Sequence, residues 1–267
     1  MGGSNVTHEI PIGLQLFSVR HDLDRDLQGT LQAVADMGYE GVEFFGFPSH
    51  PAGELRDLLD ECKLACCGWH TPFELVQDDK LEETIAFNRE LGNKYIIVPG
   101  IPPELRRSRT DWLKLAEFFN GLSKKLSPYG MVTGYHNHHV EFAPLDGEQP
   151  WDTFFGNTEK QIVMQLDLGN AMLGGANVVS ILEKYPGRAT TIHLKPYSFE
   201  AGKNNPHVGF RPPIGEDDVP WPDVFRLCKS GGTEWYIVEY ESDAFSPLQA
   251  VEKCLEGLKE VQASARG

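Results

Sequence analysis

Short apolar runs rich in β-branched and aromatic residues alternate with amphipathic stretches along the whole chain of 267 residues. Continuous apolar runs of this length are typical of strands that are buried on both faces of a parallel sheet. The runs that we predict as strands are residues 12–17, 41–45, 64–69, 95–98, 131–136, 162–167, 190–194 and 235–239.

Between these runs, apolar residues recur at spacings of three and four, the period of an amphipathic helix. The stretch LQGTLQAVADMG shows it clearly, and Gly38 supplies a C-terminal stop. The stretches LEETIAFNRELG, DWLKLAEFFNGLSKKL and PLQAVEKCLEGLKEVQ repeat the pattern. Alternating strands and helices without a linker predict an α/β protein with one domain over residues 1–267, a single (β/α)8 TIM barrel, with residues 1–10 as a flexible N-terminal segment.

Composition narrows the class of protein. The chain has 39 acidic against 24 basic residues and a net charge of −15, a surface that repels nucleic acid and anionic lipid. No apolar run approaches the roughly 20 residues that a membrane span needs, and the start MGGSNVTHEIPIG lacks the features of a signal peptide. The five cysteines are odd in number and show no CxxC spacing, so we interpret them as reduced thiols. These observations predict a cytoplasmic protein whose partner is neither nucleic acid nor membrane.

Polar residues end several of the predicted strands. In a (β/α)8 barrel the active site lies at the C-terminal ends of the strands, so such residues are candidates for chemistry. Side chains alternate along a strand, and the pairs that share one face are therefore two residues apart. The pairs are His136 with His138, His193 with Lys195, and Glu239 with Glu241. Three of the nine histidines fall in the stretch GYHNHHVEF alone.

Asp167, His193 and Glu239 end three consecutive predicted strands. Imidazole and carboxylate groups without cysteine are ligands for one divalent ion such as Mn²⁺, Mg²⁺, Co²⁺ or Zn²⁺. The alternative is a buried polar network that serves the structure alone.

The order of motifs resembles the sugar phosphate isomerase/epimerase family, the xylose isomerase-like TIM barrels. The matching pieces are GLQLFSVR, GVEFFG, HTPF, YHNHHVEF, LDLGNA, HLK, GEDDVPW and EWYIVEYE. The resemblance implies a metal ion held by Asp167, His193, Glu239 and a residue of the fifth strand. At that position ketose epimerases have Glu where this chain has His136, so Glu141 is the first choice for the fourth ligand, with His136 or His138 next.

The resemblance further implies a metal-dependent isomerase or epimerase of carbohydrate metabolism. It would remove the proton next to the metal-bound carbonyl of a ketose or keto-sugar derivative. With Glu141 as the fourth ligand, three carboxylates and one imidazole suit manganese or magnesium, whereas two or more imidazoles favour zinc or cobalt. The alternative is a dehydratase or lyase that uses the same intermediate, similar to an inosose dehydratase or a 3-keto-glycoside lyase. The expected partner is a small polyhydroxylated carbohydrate substrate. The sequence leaves open whether the protein forms a homo-oligomer.

Individual roles follow from the same reasoning. Glu239, Glu141 and Lys195 are the expected catalytic residues, because carboxylates can take the proton and an ammonium can stabilise the developing oxyanion. The residues that we expect to contact substrate are Gln15, Glu43, His70, His136 and His138. For these five, hydrogen bonding that serves only the structure is the alternative.

Overall fold

Eight parallel strands form a barrel that helices surround, as the sequence predicts. A computed structural model describes residues 9–265. The strands are β1 (Ile12–Gln15), β2 (Gly41–Phe45), β3 (Ala65–His70), β4 (Tyr95–Val98), β5 (Val132–His136), β6 (Val163–Gln165), β7 (Thr191–Leu194) and β8 (Trp235–Val238). The α-helices are α1 (Arg20–Leu23), α2 (Leu27–Met37), α3 (Ala52–Cys62), α4 (Asp78–Leu91), α5 (Arg109–Leu126), α6 (Pro150–Phe155), α7 (Leu168–Leu173), α8 (Val178–Lys184), α9 (Phe199–Gly202), α10 (Trp221–Gly231) and α11 (Pro247–Ser264).

The four helices predicted from periodicity correspond to α2, α4, α5 and α11. Gly38 ends α2 with φ of 102°, a left-handed conformation that costs glycine little, and its N–H bonds the carbonyl of Ala35. Leu31 and Val34 are fully buried on the face of α2 that packs against the barrel. The helical period therefore identified the buried face.

The sheet runs in the order β6-β5-β4-β3-β2-β1-β8-β7. Between β6 and β7 the ladder is short, and a parallel bridge between Asp167 and His193 closes it. The backbone N–H of His193 donates to the carbonyl of Leu166 at 2.9 Å across this seam. The place where the barrel closes is thus the place where two predicted ligands lie side by side.

The strand boundaries differ slightly from the predicted ones. Strand β6 ends at Gln165, and Asp167 is instead the residue that caps the N-terminus of α7. Its Oδ1 accepts a hydrogen bond from the N–H of Asn170 at 2.6 Å. Of the segment predicted to be flexible, residues 1–10, residues 1–8 lie outside the part of the chain that the structure describes. The assignment of a single domain stays a prediction. Within residues 9–265 no helix combines the length and the apolar character that crossing a membrane requires.

Candidate metal centre

Four buried side chains converge at the C-terminal end of the barrel. His136, Asp167, His193 and Glu239 each offer one ligand atom, and these atoms lie within 4.8 Å of one another. Nδ1 of His193 is 2.7 Å from Oε2 of Glu239 and 4.0 Å from Oδ2 of Asp167. Nε2 of His136 is also 4.0 Å from Oδ2 of Asp167. Residues from four different elements therefore face one point.

The Asp167 carboxylate indicates what this point is suited to hold. Oδ2 of Asp167 is buried, and no hydrogen-bond partner for it exists among the described residues. A buried carboxylate oxygen without a partner is costly, and a cation removes that cost. Two imidazoles and two carboxylates are also a donor set that divalent first-row ions accept. The residues present therefore fit a divalent ion.

Asn137 holds the backbone of Asp167 in place. Its Oδ1 accepts from the N–H of Asp167 at 2.8 Å, and its Nδ2 donates to the carbonyl of the same residue at 3.1 Å. Sequence reasoning missed this residue because its side chain alternates away from the two flanking histidines. An asparagine between two histidines at a strand end is the signal that could have found it.

Protonation in the cluster follows from burial and charge. Burial alone would lower the pKa of His193, but Glu43 and Glu239 raise it to about 10. Burial raises the pKa of Asp167 to about 7, against the lowering effect of Lys195. Burial lowers the pKa of His136 well below its ordinary value, and the neighbouring histidines add to the effect. Near neutral pH, a second proton on His193 and partial protonation of Asp167 thus limit the negative charge of the cluster, and a bound cation would displace these protons.

Glu141, the first choice for the fourth ligand, lies outside the group of four. Its Oε1 accepts a hydrogen bond from the hydroxyl of Tyr135 at 2.7 Å, and its Oε2 accepts from the backbone N–H of His138 at 2.8 Å. The 3-10 turn Val140–Phe142 carries Glu141 and sets this direction. His136 takes the corresponding place in the cluster. The role of Glu141 as a ligand stays a prediction.

Lys195 lies beside the cluster and is buried. Its Nζ is 3.5 Å from Oε1 of Glu239 and also pairs with Glu241. Burial alone would lower the pKa of Lys195, but Glu239, Asp167 and Glu241 raise it, so the ammonium form persists. Burial and the nearby Glu239 raise the pKa of Glu241. Glu241, which shares a face with Glu239, was one of the strand-end candidates from sequence, but no individual role was predicted for it.

Below the cluster lies a second, deeper layer of polar side chains. Glu43 is 0% exposed, and it contacts Gln15, His70, Gln165 and His193. Burial would raise its pKa, but the charges of His70 and His193 lower it. The sequence placed Gln165 among the polar candidates at the strand ends, but no individual role was predicted for it. A glutamine two residues before a candidate ligand, at the end of a buried strand, is the signal for it.

The remaining predicted residues divide between these two layers and the rim. Gln15 and His70 are buried in the deeper layer. His138 is exposed at the mouth, and its ring centroid is 5.5 Å from that of His136. The five cysteines are free, and four of them are buried.

Comparison with known proteins gives consistent matches over the barrel. The sequence profile of the family described as xylose isomerase-like TIM barrel matches residues 31–261. The inosose dehydratase of Clostridium beijerinckii is 25% identical over an alignment of 268 positions, which spans 86% of this chain and 88% of that protein. The crystal structure of a sugar phosphate isomerase/epimerase from Parabacteroides distasonis superposes with a TM-score of 0.78 at 22% identity, covering 98% of this chain and 97% of that one.

A third similar structure is that of the IOLI protein with a bound zinc atom. Its TM-score is 0.70 at 14% identity, and the match covers 96% of this chain and 98% of that one. The two structural similarities show the shared barrel fold.

Proposed function

We propose a function from the premise that this chain belongs to the xylose isomerase-like TIM barrel family. The proposed function is that of a metal-dependent dehydratase that acts on a small polyhydroxylated keto-substrate. The observation that carries the proposal is the buried group of His136, Asp167, His193 and Glu239 around the unpartnered Oδ2 of Asp167. These four residues would hold the ion. A bound divalent ion would polarise the substrate carbonyl and so acidify the adjacent C–H bond.

Glu239 is the proposed proton acceptor. Its Oε2 contacts His193 at 2.7 Å, whereas its Oε1 lies 3.5 Å from Nζ of Lys195. Oε1 is the oxygen to which the proposal assigns the proton of the substrate. Lys195 carries a positive charge and is positioned to stabilise the oxygen on which negative charge develops. The pair therefore supplies a base and an electrostatic partner on the same side of the substrate.

The groups at the mouth of the barrel can supply both proton transfers that the elimination of water requires. Glu239 takes the proton, the electron pair of the C–H bond forms the new C=C bond, and the hydroxyl of the next carbon leaves. His138 is exposed at the mouth, and its protonated form would give that hydroxyl a proton, so that the hydroxyl leaves as water. The catalytic residues of this proposal are Glu239, Lys195 and His138.

Elimination fits the geometry better than epimerisation, the leading expectation from sequence. Reprotonation on the opposite face requires a second acid–base group there, and Glu141 was the candidate from sequence. Both of its oxygens are already bonded, to Tyr135 and to the N–H of His138. The inosose dehydratases among the curated relatives support the same reaction class. Epimerase activity on a ketose is the second outcome that the experiment below can return.

The substrate is proposed to be uncharged or weakly charged. Lys195 is the cation beside the cluster, and Glu239 and Glu241 neutralise it. A phosphate group would need free donors such as arginine side chains. This charge balance favours an inosose or another keto-polyol over a sugar phosphate.

The test is incubation of the protein with inososes and ketoses in D2O, with Mn²⁺, Co²⁺, Zn²⁺ or Mg²⁺ and with chelator. The proposal expects metal-dependent incorporation of deuterium next to the carbonyl together with loss of one water molecule from the product mass. An isomer of unchanged mass apart from the label would establish the epimerase or isomerase instead. Turnover without either change would overturn the role of Glu239 as a base.

A further inference from the structure

The deeper layer below the cluster is built around a group that can only accept hydrogen bonds. Oε2 of Glu43 accepts one hydrogen bond from Nε2 of Gln15 and one from Nε2 of His193, each at 2.7 Å. Oε1 of Glu43 accepts a hydrogen bond from Nε2 of Gln165 at 2.8 Å. An ionised carboxylate has no proton to give, so each of these neighbours must present a donor to it.

The orientation of the Gln165 amide follows from this constraint. With its NH2 group turned to Glu43, its Oε1 faces the opposite way, toward two histidines. Nε2 of His70 lies 2.7 Å from this oxygen and Nδ1 of His136 lies 3.1 Å from it. An amide oxygen only accepts, so both nitrogens must carry a proton. Thr191 also contacts the Gln165 amide, at 3.1 Å, but a hydroxyl can donate or accept and so decides nothing.

The proton positions determine which imidazole nitrogens keep a lone pair. A neutral His136 with its proton on Nδ1 has its lone pair on Nε2, the atom 4.0 Å from Oδ2 of Asp167. A neutral His193 with its proton on Nε2 has its lone pair on Nδ1, the atom that faces Asp167 and Glu239. Both lone pairs therefore point at the cluster.

We propose that Glu43 is a positioning residue that sets the tautomers of His136 and His193, directly for His193 and through the Gln165 amide for His136. The ligand atoms are then Nε2 of His136 and Nδ1 of His193. The inference rests on the metal centre of the proposed function and is independent of the substrate. It replaces the expected contact between Glu43 and substrate, because Glu43 is fully buried and both of its oxygens are bonded.

The backbone makes room for this carboxylate. A β-bulge shifts the register between β2 and β3, so that Val42 pairs with Cys66 but Glu43 pairs with Gly68. A Cβ atom on Gly68 would lie 2.4 Å from Oε1 of Glu43, closer than real contacts allow. The bulge and the glycine together form a cradle for the Glu43 side chain.

The direct test is nitrogen-15 NMR of the histidine rings in the zinc-loaded wild-type protein. The expected spectrum has a proton on Nε2 of His193 and a proton on Nδ1 of His136. The opposite tautomer at either residue would overturn the inference while leaving the metal centre intact. A wild-type protein that binds no divalent ion would instead overturn the metal centre itself.

The Glu43→Gln variant tests the cause. The amide offers one acceptor atom where the carboxylate offers two, so His193 or Gln165 loses its partner. We expect the Kd for Zn²⁺ to rise about 10- to 100-fold, the usual effect of removing the partner of a metal-binding histidine. The tautomer signals of His136 or His193 should change with it.

Thr191→Val is the matched control, because it removes a hydroxyl from the same buried layer without changing Glu43. It should keep the wild-type tautomers and the wild-type Kd for Zn²⁺. Thermal unfolding in chelator establishes that each variant folds. A folded Glu43→Gln protein with wild-type tautomers and wild-type Kd would overturn the inference, and so would equal losses in the two variants.

Discussion

A buried cation lies at each end of β7, and the two cations differ in the type of group that surrounds them. Arg188, just before the strand, donates to the carbonyls of Phe155, Glu159 and Ile162 and to the hydroxyl of Thr158. Lys195, just after the strand, contacts the carboxylates of Glu239 and Glu241. One cation has neutral partners, and the other has charged ones.

This difference separates a structural role for Arg188 from the chemical role proposed for Lys195. Fixed dipoles around Arg188 accept five hydrogen bonds from its three nitrogens and attach the start of β7 to the loop before β6, a purely local role. Burial lowers the pKa of Arg188 to about 10, still well above neutrality. The carboxylates around Lys195 can instead exchange protons or bind a cation. Lys195 and its carboxylate partners lie at the C-terminal end of the barrel strands, the same end as the unpartnered oxygen of Asp167.

The largest expected effect is at the chemical end. Asp167→Asn or His193→Ala should remove a ligand from the proposed centre, so the protein should lose the roughly one ion per chain that a four-ligand site holds. Metal analysis after dialysis measures this, and Arg188→Met is the control that should retain the ion. Full occupancy in both ligand variants would mean that the centre lies elsewhere.

Glu239→Gln removes the proposed base. The rate of metal-dependent exchange of the proton next to the substrate carbonyl should fall by at least about 10²-fold, the lower end of what a positioned general base contributes. Exchange is measured in D2O at metal concentrations that saturate the variant, so that weaker binding does not mimic the loss. Exchange at the wild-type rate would assign the base to another residue.

Arg188→Met and Lys195→Met together test the contrast between the two ends. Arg188→Met leaves several buried carbonyls without donors, and we expect the free energy of unfolding to fall by about 3 kcal/mol, with turnover per folded molecule unchanged. Lys195→Met should reduce turnover at saturating metal by about 10²-fold, as expected for a lost electrostatic partner. Urea unfolding and steady-state kinetics measure the two. A loss of turnover in folded Arg188→Met protein would contradict the division.

The smallest expected effect is at Glu141. Glu141→Gln keeps the size of the side chain and can still accept from the N–H of His138, so metal occupancy should stay at the wild-type level. A crystal structure with zinc should have a His136 nitrogen about 2.1 Å from the ion. Coordination by Glu141 with His136 turned away would restore the assignment made from sequence.

Much of the barrel could be predicted because its determinants are local. Apolar runs and the helical period identify strands and helices from neighbouring residues, and α2 ends at Gly38 as its sequence predicts. The convergence of Asp167, His193 and Glu239 at the C-terminal end of the barrel also followed, because parallel strands in a barrel bring their C-terminal ends together. The direction of Glu141 could not be predicted, because it depends on a 3-10 turn and on the hydroxyl of Tyr135.

The sequence by itself determined the family, the order of the strands and the residue types that reach the mouth of the barrel. Only the tertiary structure decided that His136 joins the cluster, that Gln165 turns its oxygen to two histidines, and that Glu43 lies beneath them. The reason is that a hydrogen-bond direction depends on both partners. Here the partners stand far apart in the chain, as Glu43 and His193 do at a separation of 150 residues.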